Sequence, residues 1–94
     1  MPSFVYMMAS APNGTLYTGV TTDLARRVWE HRDRVTGGFT SRYGVRLLVW
    51  YREYENVIDA IADEKRIKRW RRAWKIEMIE KTNPLWADLY PGLR

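Results

Sequence analysis

Pro12-Asn13-Gly14, set between two short runs of aromatic and β-branched residues, constrains the fold of this chain more than any other triplet. Asn and Gly tolerate the positive φ of a tight turn, so Phe4 to Ala9 and Leu16 to Val20 are predicted to pair as an antiparallel hairpin. An even loop centred on Asn13-Gly14 sets Ser10 opposite Tyr17 and Met8 opposite Gly19. Side chains alternate along a strand, so Tyr6, Tyr17 and Gly19 then share one face, and Gly19 leaves open backbone where a ligand could come close. An odd loop would split the two tyrosines across the sheet.

Thr21-Thr22-Asp23 supplies an N-cap and a first-turn acid for a helix predicted to run to about Arg34. At about 100° per residue, its buried stripe is Leu24, Val28 and Val35, with His31 inside the stripe and Arg27 at its edge, one turn below His31. Gly37-Gly38 interrupts the pattern, and Phe39 to Gly44 (FTSRYG) reads as a loop or a single helical turn. Val45 to Tyr54 is a third strand, and its nearly continuous apolar stretch Leu47 to Tyr51 predicts a central strand covered on both faces. From Asn56, a second N-cap, helical sequence runs without Gly or Pro to Lys81. Its apolar phase rotates between Ile61 and Ile76, which predicts two helices joined near Trp70 to Ala73. Asn83-Pro84 ends the run, and Trp86 and Leu89 are placed to dock the tail before Pro91-Gly92 stops it.

So short a chain cannot build two cores, and residues 1–94 are read as one domain. Five tryptophans and six tyrosines supply the apolar area that a thin core lacks. The absence of cysteine excludes a disulfide framework, a thiolate zinc site and a cysteine nucleophile, and fits a cytoplasmic setting. No basic leader precedes the first apolar run, and nowhere stand the roughly 18 consecutive apolar residues of a membrane span, so a soluble protein is expected. Asn13-Gly14-Thr15 matches a glycosylation acceptor but is read as the turn.

The net charge of +5 favours a polyanionic partner. It is concentrated in KRIKRWRRAWK, where Lys65, Arg66, Lys68, Arg69, Arg71, Arg72 and Lys75 stand with no acid among them. Like charges at this density repel unless something anionic meets them, and phosphate backbone is the obvious candidate. A solvated helix face is the plainer alternative. Trp70 and Trp74 are read as turned inward, which disfavours a membrane-surface helix.

Four kinds of side chain could carry chemistry. Glu64 falls in an apolar arc with Val57, Ala60, Ile61 and Ile67, where a carboxylate needs a partner or a cation. An ion pair with Lys68 at i, i+4 satisfies it; so does Mg²⁺, which keeps most of its waters and takes one or two carboxylates. His31, the only histidine, is either a satisfied core residue or a proton acceptor with a pKa near ~6.5, and Arg27 could grip a phosphate beside it. Tyr6 and Tyr17, with ordinary pKa values near ~10, need a neighbouring cation or base before either can act on a proton.

In order, these residues resemble the GIY-YIG nuclease superfamily, and more closely its small single-domain bacterial branch. Phe4-Val5-Tyr6 stands where the family has Gly-Ile-Tyr, and Tyr17-Thr18-Gly19 where it has Tyr-Ile-Gly. Arg27 and His31 follow at the family's spacing, Glu64 matches its metal-binding glutamate, and Asn83 in NPLWADL resembles its structural asparagine. Both isoleucine positions differ, Gly is absent before Val5, and Val20 stands where some relatives have a lysine. The resemblance implies an α/β fold of α+β type, a small three-stranded antiparallel sheet flanked by helices. It also implies an endonuclease that hydrolyses DNA phosphodiester bonds with Mg²⁺ or Mn²⁺, with RNA as an alternative target. Glu64 would hold the metal and Arg27 would neutralise the phosphate. One tyrosine, Tyr6 in preference, would orient or deprotonate water with help from His31. This arrangement requires Glu64 to face Tyr6, Tyr17 and Arg27 across one surface of the sheet. The rival expectation is a non-catalytic nucleic-acid-binding module or an accessory subunit of a repair or recombination complex. In either case a protein partner or self-association could direct it to its substrate.

Overall fold

A computed structural model describes residues 2–33 and 38–93. Its elements are β1 (Ser3–Ala9), β2 (Leu16–Thr21), α1 (Leu24–Arg32), α2 (Gly38–Arg42), β3 (Leu47–Tyr54), α3 (Val57–Lys68), α4 (Arg72–Thr82) and a closing 3-10 turn at Tyr90–Leu93. They form the expected α+β architecture: three antiparallel strands in the order β2-β1-β3, with helices on both faces. Among the described residues no helix is long and apolar enough to cross a membrane. The expected extension of α1 to Arg34, Val35 in its stripe, Gly37, and Arg94 at the end of the tail lie outside the described residues.

The hairpin forms, with a different register. Ser10 N–H donates to Thr15 O at 3.0 Å and Gly14 N–H to Ala11 O at 2.8 Å, which closes a four-residue loop centred on Pro12-Asn13. Pro12 presets the first central position and Asn13 takes a φ of +57° at the second, the signature of a type II turn. Met8 therefore pairs with Tyr17 and Tyr6 with Gly19, two residues from the predicted register. A shift of two preserves parity, so Tyr6, Tyr17 and Gly19 keep their common face.

The strand order corrects a second expectation: β1, not β3, is central. The continuous apolar stretch of β3 has another cause. Met7 pairs with Trp50 and Met8 with Leu48, so Val49 is the extra residue of a β-bulge. Val49 and Trp50, neighbours in sequence, consequently pack in the same core layer. Beyond the bulge alternation fails to bury the strand, and Tyr51, Arg52 and Glu53 are exposed.

The two faces of the sheet carry separate cores. Val5, Met7 and Ala9 pack with Ala60 and Ile67 of α3 and Ile79 of α4, while Tyr6 and Met8 pack with Leu24 and Val28 of α1. Asn56 caps α3 as the sequence predicts, its Oδ1 accepting from Asp59 N–H at 2.9 Å; in α1 Asp23 is itself the cap, its Oδ1 accepting from Arg26 N–H at 3.3 Å, and the expected first-turn acid is absent. The break between α3 and α4 falls at 69–71, at the near end of the predicted junction. The outer edge of β3 is covered by the tail. Asn83 Nδ2 donates to Val49 O at 3.1 Å and Ala87 O at 2.8 Å, and its Oδ1 accepts from Ala87 N–H at 2.9 Å. Asp88 Oδ1 accepts from Leu48 N–H at 3.2 Å, and Leu89 N–H donates to Leu48 O at 2.8 Å. An edge strand thus has its free backbone groups met by loop partners, and Trp86 docks into the core beside it.

Candidate active site

The site grows from the face of the hairpin that α1 covers. Tyr6 lies over Gly19 and reaches His31, whose Nε2 shares a 2.9 Å hydrogen bond with Tyr6 Oη. His31 Nδ1 in turn shares one of 2.8 Å with Thr40 Oγ1 on α2. All three side chains are buried, Tyr6 to 1% exposure. Removal from water pushes the His31 pKa down to about 4, with the charge of Arg27 adding to the effect. The imidazole is therefore neutral at pH 7, with one nitrogen donating and the other accepting. Burial, then the neighbouring Tyr17, raises the Tyr6 pKa above its ordinary value, against an opposing pull from Arg27.

Tyr17 completes the cluster, with its ring centroid 5.1 Å from that of His31 and 6.2 Å from that of Tyr6. Unlike Tyr6 it is only half-buried, and it lines a groove of about 300 Å³ with Thr18, Phe39, Lys68 and Lys75. The more solvent-exposed of the two tyrosines is thus Tyr17, while Tyr6 is enclosed. Arg27 stands beside the Tyr6 hydroxyl and donates through Nη1 to Glu30 Oε1 at 3.0 Å. Burial opposes its charge, but Glu30 and then Tyr6 outweigh burial and raise its pKa.

Gly19 does not leave the open patch expected of it, because the Tyr6 ring fills the space. Thr40 was not legible from spacing: it lies beyond the Gly37-Gly38 break, in a segment read only as loop or turn. Val20 packs in the layer under α3.

Glu64 is buried at 8% exposure, and Lys68 Nζ holds its Oε2 at 2.5 Å. Its helix covers the sheet face opposite Tyr6, so the expected arrangement across a single surface is not met. The two halves approach one another around the edge strand β2, where Lys68, the partner of Glu64, lines the same groove as Tyr17. Among the described residues no cluster of three or more His, Cys, Asp or Glu side chains exists. One carboxylate fits a divalent cation that keeps most of its waters and takes further oxygens from a phosphate, but in this structure that carboxylate is held by Lys68.

The basic segment is less bare than its sequence. Arg66 pairs with Asp63 at 2.5 Å, Lys68 with Glu64, and Arg72 Nη2 donates to Asn13 O at 2.7 Å and Gly14 O at 2.6 Å, clamping the hairpin turn. Lys75 lies against Lys68 O at 3.4 Å, and its pKa is lowered by burial and then by Arg72 and Lys68. Lys65, Arg69 and Arg71 are exposed. Trp74 is not turned inward: 48% of it faces water.

The chain matches the GIY-YIG catalytic domain over residues 2–77. A UPF0213 protein of Desulfotalea psychrophila is 44% identical over 50 residues, which make up 53% of this chain and 44% of that protein. A UPF0213 protein of Aeromonas salmonicida is 31% identical over 84 residues, 89% of this chain and 60% of that protein. The chain thus spans less than two thirds of either relative. The solution NMR structure of a UPF0213 protein from Bacillus halodurans superposes with a TM-score of 0.58 at 25% identity, over 94% of this chain and 93% of that one. With the two tyrosines, the arginine and the histidine gathered on one face and the family match running from β1 into α4, the chain belongs to the GIY-YIG family.

Proposed function

We propose that this chain is a divalent-metal-dependent endonuclease that hydrolyses DNA phosphodiester bonds. The observation that carries the reading is a buried imidazole, His31, fixed between Tyr6 and Thr40 and packed at a tilt behind Tyr17, which lines a groove walled by Lys68 and Lys75. In this reading Lys68 and Lys75 draw a phosphate into the groove and Arg27 neutralises it, exchanging Glu30 for a phosphate oxygen. Tyr17 orients the attacking water. Tyr6 and His31 pack against that ring and hold it in place, and any proton passed to His31 must travel through the Tyr6 hydroxyl that bonds its Nε2. Glu64 would hold the cation from around the β2 edge and not across one face of the sheet as the sequence reading required, and the cation would polarise the phosphate and stabilise the leaving oxygen. Lys65, Arg66, Arg69, Arg71 and Arg72 extend the positive approach, and a protein partner or self-association could direct it to a site of repair.

The test is nicking of supercoiled DNA with Mg²⁺ or Mn²⁺. The wild-type chain nicks, while Arg27→Ala and Glu64→Gln keep their fold and lose the activity. Undiminished nicking by either variant would overturn the mechanism.

One observation favours a second reading. Glu64 is paired with Lys68 on the layer opposite Tyr6, as in a module that binds nucleic acid without cutting it. Such a module shows binding that falls steeply with salt and no cleavage with any divalent metal.

A further inference from the structure

A second groove, of about 430 Å³, is bordered by Arg52, Arg66, Trp70, Trp74, Glu77 and Lys81 and shares no residue with the tyrosine groove. Its walls come from β3, α3 and α4. The position of Trp74 has no structural explanation in the core: Trp50 and Trp86 are buried, yet Trp74 leaves about half of its surface in water. A water-facing helix position needs only a good helix former, and tryptophan is a middling one.

The Trp70 and Trp74 rings stand 6.3 Å apart and nearly perpendicular, at 79°. Each carries a guanidinium, Arg66 at 5.2 Å from the Trp70 centroid and Arg71 at 5.0 Å from the Trp74 centroid. Asp63 fixes two of the cations at the groove wall, Arg66 at 2.5 Å and Arg52 at 3.9 Å. Flat aromatic and guanidinium groups hold nucleobases by stacking, and the surrounding cations meet phosphate. Glu77 adds an acceptor for a base N–H group such as thymine N3–H. The three cations and one acid that line the groove disfavour a cationic ligand.

We propose that this groove binds an unpaired nucleotide within a nucleic-acid strand, its base stacked on Trp74 and its phosphates met by Arg52, Arg66 and Lys81. The volume suits one nucleotide, and bases inside an intact duplex cannot reach the indole. α3 and α4 also carry Lys68 and Lys75, so the two grooves are built on the same pair of helices. The proposal rests on the nucleic-acid reading above and not on cleavage.

The experiment measures affinity at fixed salt, without divalent metal, for a labelled oligothymidylate of about twelve nucleotides. Its arms are a duplex of equal length, the mononucleotide, and phosphatidylglycerol vesicles. Trp74→Ala is expected to weaken single-strand binding roughly ten-fold and leave the duplex unchanged, with Trp74→Phe restoring most of the loss. Arg52→Gln with Lys81→Gln should flatten the salt dependence by about one phosphate contact each. A melting curve confirms that each variant folds. Undiminished single-strand binding by Trp74→Ala overturns the proposal. So does an equal loss for duplex, mononucleotide binding as tight as the strand, or a preference for vesicles. If the wild type binds strands through Trp74 but never cuts, only the nuclease reading fails; if it binds and cuts without Trp74, only this proposal fails.

Discussion

The Tyr6 ring occupies the place where a side chain on Gly19 would stand: a Cβ built there would lie 2.5 Å from the Tyr6 hydroxyl oxygen and 2.6 Å from its Cζ. The glycine of the second motif therefore serves the tyrosine of the first. Direct pairing of the two residues across the hairpin brings this about. Gly19→Ala must push the ring away from His31, at a cost of about 1–3 kcal/mol. Thermal melting should fall by roughly 4–24 °C, at about 4–8 °C per kcal/mol for a domain of this size. An unchanged melting temperature with an intact His31 environment by NMR would contradict this account.

The depressed pKa of His31 makes stability depend on pH. The unfolded chain takes up a proton near pH 6.5, whereas the folded chain resists until about 4, so stability is full above the upper value and declines on acidification. The loss between pH 6.5 and about 5 is on the order of 2 kcal/mol. Glu30 and Asp63, whose pKa values are lowered from 4.5 and 3.8, give up their own contributions only at lower pH. Urea denaturation across this window should show the decline, and His31→Gln, less stable at pH 7, should show a flatter profile. A decline as steep in His31→Gln as in the wild type would assign the effect elsewhere.

The two tyrosines should separate in single-turnover nicking. Tyr17→Phe removes the phenol in the groove, and a loss of about 10²-fold or more with an unchanged melting temperature is expected. Tyr6→Phe leaves a ring nitrogen of His31 buried without its partner, which costs about 1–3 kcal/mol of stability and lowers the rate less. The opposite order would return the water-orienting role to Tyr6.

The hydrogen bonds of Asn83 to Val49 and Ala87 lead us to expect that it acts on the fold and not on phosphate. Asn83→Ala breaks three hydrogen bonds and leaves the Val49 carbonyl at the bulge without its side-chain donor. A loss of roughly 2–3 kcal/mol in urea denaturation is expected, with nicking per folded molecule preserved. A rate loss without a stability loss would place Asn83 in the chemistry.

Much of this was legible because the signals are local. Asp23 and Asn56 cap their helices as a side-chain oxygen before an amphipathic run does, and the rotating apolar phase marks the break before α4. The common face of Tyr6 and Tyr17 followed from parity alone, and it survives a register two residues from the predicted one. The register itself was hidden because Asn13 accepts positive φ at either central position of the turn. Nor could composition show that the apolar run of β3 reflects a bulge at Val49 and not burial on both faces.

What the sequence by itself determined is the main strands and helices, the family and the candidate side chains at their spacings, since each depends on neighbours a few residues away. Only the tertiary structure decided which phenol meets water, what lies over Gly19, that Thr40 orders His31, and that Trp74 faces outward. It also placed Glu64 on the far layer of the sheet, joined to the tyrosine groove through Lys68 at the β2 edge. Those outcomes depend on strand order and on which helix covers which face, and both are set by packing between segments far apart in the chain.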